Sequence, residues 1–216
     1  FPLTAPHKPV MPAPRFQGKS GLGPYGDFIL QTDWTIGQVL QALEDSGAAN
    51  NTVVFLSSDN GSFMYRHTDK AGHVEDSSQQ GFDPTNHVSN HIYRGTKADV
   101  WEGGHRVPFL VRWPGKIKPG NRSAEPICLT DLMATCAEIS GATIPEDAAE
   151  DSFSIMPFAL GKPDAKRAAP VVHHSANGTF ALRDGQWKLI LGSGSGGRGI
   201  PKSKPGDRPF QLYDML

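Results

Sequence analysis

Cysteine, long apolar runs and any excess of one charge are what this chain has least of. Only two of its 216 residues are cysteine, Cys128 and Cys136, too few for the disulfide framework of a small secreted scaffold. Both fall in or beside an apolar helical pattern, where a thiol packs as a small hydrophobe. Eight residues along one helix would hold their α-carbons about 12 Å apart, beyond disulfide reach. No apolar run approaches the twenty residues of a membrane-spanning helix. No signal peptide stands at Phe1, which says nothing of compartment if residues precede it. Lys and Arg number 21 against 22 Asp and Glu, a net charge of −1. With no basic stripe carrying interleaved aromatics, nucleic acid is excluded as the main partner. The 38% of hydrophobic residues suffices for one domain-sized core.

What is present is concentrated in short motifs. Residues 52–58, TVVFLSS, form an apolar, β-branched run bounded by turn formers, which reads as a buried strand in a parallel sheet. Its end delivers Asp59 and Asn60, hard oxygen ligands suited to Ca²⁺ or Mg²⁺, to the strand edge where open α/β sheets bind ligands. Asp-Asn-Gly is equally a common turn in which both side chains satisfy their own backbone. The second motif is RGTKADVWEGGHRVP at 94–108. Lys97 offers a point charge to a sulfate or phosphate, and Gly103 and Gly104 permit close backbone approach. By composition alone, Lys97 is an ordinary solvated lysine, and Arg94 and Glu102 an ordinary surface pair. His7 lies between prolines in a Pro/Gly-rich entry loop, where it is either solvated or a general acid or base near neutral pH.

The remainder supplies a frame. A helix is expected from about Tyr25 to before Gly47, with Ile29, Ile36, Leu40 and Leu43 on one face. Residues 63–90 lose periodicity and carry His67, His73 and His87, with His91 just beyond. No zinc spacing joins these histidines, so they read as solvated or substrate-facing groups on a rim that would tune substrate choice. A second helix is expected at 129–140, capped by Thr130 or Asp131 and closed by Gly141. Strand-like runs follow at 171–174, 180–183, 187–191 and 210–213. The glycine-rich GSGSGGRG at 192–199 lacks the lysine and hydroxyl of a P-loop and reads as a flexible hairpin connection. His173 and His174 could rival His7, but neighbouring strand positions point to opposite faces, so at most one could serve a common pocket.

In order and spacing, APHKP, FQGKSGLGPYGD, NNTVVFLSSDNGS and RGTKADVWEGGHRVPFLVRWPGKI resemble the later part of a type I, formylglycine-dependent sulfatase of the arylsulfatase group. LTDLMATCAEISGATIP, TFALRDGQWKLIL and FQLYDM extend the likeness over nearly the whole chain. The resemblance implies an α/β fold, part of an alkaline-phosphatase-like three-layer sandwich with a mostly parallel sheet. Residues 1–165 would belong to the catalytic domain and 166–216 to a small antiparallel C-terminal subdomain. It implies that Asp59 and Asn60 ligate a divalent cation, usually Ca²⁺. It further implies that Lys97 binds the sulfate and its bridging oxygen, and that His7 protonates the leaving group. No C-x-P-x-R motif is present, because neither cysteine is followed by Pro and Arg at that spacing. The formylglycine is therefore expected upstream, and the chain is expected to be an inactive fragment of a periplasmic, secreted or lysosomal sulfuric ester hydrolase. The implied substrate is a sulfated small molecule or glycan. Two alternatives remain at this point: a phosphoester or phosphonate hydrolase of the same superfamily, and a non-catalytic sulfoglycan-binding module.

Overall fold

Pro24 opens the first long helix because a helix's first turn has no use for the missing N–H. The computed structural model describes residues 1–63 and 87–216, and in it α1 spans Gly23–Asp45. The Asp27 carboxylate accepts from Gly18 N (2.7 Å) and Ser20 N (2.8 Å), tying the entry loop to the helix start. Gly47, at φ 71°, takes the left-handed turn just past the end. The expected apolar stripe lies on this helix, but Ile29 remains 40% exposed and burial is concentrated at Tyr25 to Phe28.

Strand β1, Val54–Ser57, pairs with β2, Phe109–Arg112. The pairing is antiparallel, with Val54 opposite Arg112 and Ser57 opposite Phe109. The expected parallel sheet is not found: among the described residues every strand pair is antiparallel. An unbroken apolar run specifies a strand covered on both faces, but it does not specify the neighbour's direction. The connection decides that, and here the chain passes through the one-turn helix α2, Glu102–His105, and re-enters at the end it left.

Helix α3, Leu132–Ser140, follows a 3₁₀ turn at Leu129–Asp131 and ends at Gly141 with φ 70°. Asp131 accepts from Cys128 N (2.8 Å), Phe153 N (3.0 Å) and the Arg167 guanidinium (2.8 Å). The helix buries the stripe of Asp131 and Thr135. Cys136 stands about 100° around from Thr135 and is exposed, while Cys128 is half-buried. The expectation that both thiols are buried is thus corrected, and both are free.

After the short helix α4, Met156–Ala159, come β3 (Val171–His174), β4 (Phe180–Asp184), β5 (Trp187–Ile190) and β6 (Gln211–Asp214). They form the expected antiparallel meander in sequence order. Strand periodicity sends Ala181, Lys188 and Ile190 inward, and leaves Val172, Phe180, Leu182 and Leu212 exposed. The inward face packs on Val100 and Trp101, with Tyr213 beside them. The small sheet therefore rests on the segment that carries Lys97.

Candidate active site

The turn after β1 and the segment around Lys97 are joined backbone to backbone. Gly61 N donates to Gly104 O (3.0 Å), Lys97 N to Ser62 O (2.9 Å) and Gly103 N to Arg94 O (2.8 Å). Asn90 acts as a clamp: its Oδ1 accepts from Ser62 N and its Nδ2 donates to Ser62 O and Gly95 O, each at 3.1 Å. The approach is too close for side chains. A Cβ on Gly61 would lie 1.8 Å from Gly103 O, one on Gly103 2.1 Å from Gly95 O, and one on Gly104 2.3 Å from Asp99 O. Two motifs separated by some thirty residues of sequence thus become one rigid surface.

On that surface Asp59 is exposed and Asn60 half-buried. Asn60 Nδ2 donates to Gly61 O (3.0 Å), which leaves its Oδ1 as the atom open to a cation. Adjacent carboxylate and amide oxygens fit part of the six- to eight-oxygen shell of calcium. Among the described residues no group of three or more His, Cys, Asp or Glu converges as a metal cluster; this pair alone would fill only part of such a shell. Lys97 is half-buried, and its ammonium has no partner among the described residues. His7 is brought in less directly. Its ring lies 6.1 Å from that of Phe63, three residues beyond Asn60, and Phe63 packs on Tyr25. Lys8 O, 2.8 Å from His7 Nδ1, assigns the proton to that nitrogen and leaves Nε2 for chemistry. His67 and His73 lie outside the described residues.

Several supporting residues carry no motif of their own. Arg94 stacks on Trp101 (3.7 Å) and donates to Tyr213 Oη (3.0 Å), so it anchors the small sheet rather than pairing with Glu102. Glu102 instead meets Lys188 Nζ at 2.8 Å, with the lysine side chain 1% exposed. Strand alternation puts Lys188 on the inward side of β5 with Ile190, but nothing in the sequence names its partner. The glycine-rich stretch 192–199, expected to be flexible, is pinned. Val100 N donates to Ser195 O (2.8 Å), and Asp99 Oδ1 accepts from Arg198 N (2.7 Å) and Gly199 N (2.8 Å). A buried aspartate two residues from Lys97 has no sequence signature for that role.

Against Lys188 lie His105 and His173, ring centroids 4.0 Å apart; His174, next along β3, is exposed as strand alternation requires. Burial first, and the Lys188 charge second, push His105 down to about 4 and His173 lower still. In the unfolded chain a histidine titrates near 6.5. Below that pH the unfolded state takes up protons that the folded state refuses, so stability falls as pH drops from about 6.5 toward 4. His105→Gln should remove about 2 kcal/mol of the stability lost between pH 7 and pH 5. Denaturant titrations of the complete protein at the two pH values test this, and an equal loss in variant and parent would refute it.

The family model described as Sulfatase matches residues 1–142. The chain belongs to the sulfatase family. It is 40% identical, over 97% of its length, to an N-acetylgalactosamine-6-O-sulfatase of Bacteroides thetaiotaomicron, and covers 39% of that protein. It is 45% identical over 68% of its length to the steryl-sulfatase of Rattus norvegicus, of which it covers 24%. Among solved structures it superposes with TM-score 0.79 and 37% identity on a 6S-sulfatase from a Bacteroides thetaiotaomicron locus for metabolism of multiple glycosaminoglycans. That match covers 98% of this chain and 42% of the other. This sulfatase chain thus spans about two-fifths, or less, of the relatives it matches. No described helix is long and apolar enough to cross a membrane.

Proposed function

We propose that the complete protein hydrolyses a sulfate monoester, with this chain supplying one sulfate-binding cation, part of a metal site and the leaving-group acid. The supporting observation is the backbone junction that sets Lys97 beside the Asp59–Asn60 turn. Lys97 donates to the sulfuryl oxygens, and His7, which keeps its Nδ1 proton on Lys8 O and carries a second proton on Nε2, donates that second proton to the departing ester oxygen as the S–O link breaks. Asp59 and Asn60 Oδ1 would hold a divalent cation, Ca²⁺ by the resemblance, which when bound would stabilise charge on those same oxygens. The nucleophile, a formylglycine, belongs to sequence outside these residues. In this reading residues 1–165 are the later part of the catalytic domain, and the edges of β1 and β2 that have no strand beside them among the described residues take parallel neighbours to complete a three-layer sandwich. Residues 166–216 are the C-terminal subdomain. A periplasmic, secreted or lysosomal location suits the type of relative. Sulfated glycan is preferred as substrate, in line with the printed name of the Bacteroides relative, over a phosphoester, which no matched family favours.

Chelation tests the metal half. Dialysis of the complete protein against EDTA should abolish sulfate release, and Ca²⁺ or Mg²⁺ should restore it. Asp59→Asn should raise the cation concentration for half-restoration about tenfold or more. Sulfate release that survives chelation unchanged would sink the assignment.

A further inference from the structure

Loop 192–204 takes no part in the chemistry assigned to Lys97, yet it is built directly against Ala98, Asp99 and Val100, which follow that residue. The fully buried Asp99 receives Arg198 N and Gly199 N on Oδ1, and Thr96 N (2.9 Å) on Oδ2. Ser195 Oγ accepts from Gly197 N (3.1 Å) and donates to Gly199 O (2.7 Å). Gly197 lies so close to Ala98 that a Cβ there would stand 2.2 Å from Ala98 O. Asn177 closes the far side, its Nδ2 donating to Ser203 O (2.7 Å) and its backbone N to Gly196 O (3.1 Å). These bonds tie the loop to the Lys97 segment, so a side chain on the loop has its base held relative to that segment.

The charge on this loop is one-sided. Residues 198–208 contain Arg198, Lys202, Lys204 and Arg208 against Asp207 alone, in a chain whose net charge is −1. Asp207 Oδ2 is engaged by the Lys204 backbone N (2.8 Å), and the Arg208 guanidinium lies over Phe210. Arg198, Lys202 and Lys204 are exposed, and no carboxylate among the described residues pairs with them. A steroid or simple aryl sulfate carries one anion, which Lys97 and the cation would satisfy. Three further exposed cations on the loop suit a ligand that repeats its anions along a chain.

We propose that loop 192–204 is a second anion subsite, in which Arg198 with Lys202 and Lys204 binds a further sulfate or carboxylate of a polyanionic glycan whose scissile ester lies at Lys97. The placement of the scissile ester rests on the sulfate-ester reading; binding at the loop does not. Affinity electrophoresis of the complete protein through gels containing chondroitin sulfate, desulfated chondroitin or neutral dextran tests it, with EDTA present to suppress turnover. Retardation by one or both acidic polymers and not by dextran is expected. The Arg198→Ala/Lys202→Ala/Lys204→Ala variant should weaken it at least about tenfold, as loss of charge-assisted contacts does. A charge-matched control, Lys116→Ala/Lys118→Ala/Lys162→Ala, should stay within about twofold. The proposal fails if the loop variant matches the parent, or if the control weakens binding as much. A protein that is retarded through the loop but releases no sulfate from any ester would keep the subsite and overturn the sulfate-ester reading.

Discussion

Lys97→Ala in the complete protein is expected to lower kcat/KM for sulfate release by about 10²–10³-fold, the usual cost of removing one preorganised donor from a developing oxyanion. Folding should be spared. The side chain is only half-buried and makes no hydrogen bond or ion pair among the described residues; it is the Lys97 backbone, through its bond to Ser62 O (2.9 Å), that holds the segment. An alanine keeps that bond. The melting temperature should therefore move by no more than about 2 °C, and Lys97→Arg, which keeps charge but changes shape, should recover part of the loss. A variant retaining more than a third of parental activity would remove Lys97 from the chemistry.

Gly61→Ala should have the opposite profile, damaging fold and activity together. Its Cβ would lie 1.8 Å from Gly103 O and 2.8 Å from Gly103 C, and neither neighbour is a flexible side chain that can swing away. Relief requires parting the turn from the helix start, which breaks the Gly61 N to Gly104 O bond and loosens the Lys97 N to Ser62 O bond beside it. A destabilisation of about 3 kcal/mol is expected, with sulfate release falling further than the folded fraction does, since Asp59 and Lys97 lose their common frame. Denaturant unfolding alongside turnover separates the two effects. Gly47→Ala, on an exposed helix end with nothing within 4 Å of a Cβ, is the control and should cost about 1 kcal/mol from its positive φ alone.

How much of this was legible follows from the range of each interaction. The meander from β3 to β6 was readable because alternation and turn residues are local, and its strands fall where expected to within a residue or two. The closure of α3 at Gly141 was local as well; Asp131 takes the N-cap position, but its carboxylate bonds Cys128 N, Phe153 N and Arg167 rather than the helix's own N–H groups. The direction of β2 against β1 was not, because an apolar run carries no record of which way its neighbour travels. The rigidity of 192–199 was hidden for a related reason. Glycines signal freedom unless a distant group restrains them, and the restraint is Asp99, about a hundred residues earlier. Around the candidate site, oxygen ligands, lysine and histidine could be named by chemistry and resemblance. The Asn90 clamp and the buried Lys188–Glu102 pair could not, since each acts between segments that only the fold brings together.

The most direct test is to measure release of sulfate and of phosphate by the complete protein from esters of the same aryl alcohol, under the same divalent cation. The account predicts kcat/KM for the sulfate ester at least about 100-fold above that for the phosphate. Phosphate release that equals or exceeds sulfate release would contradict it.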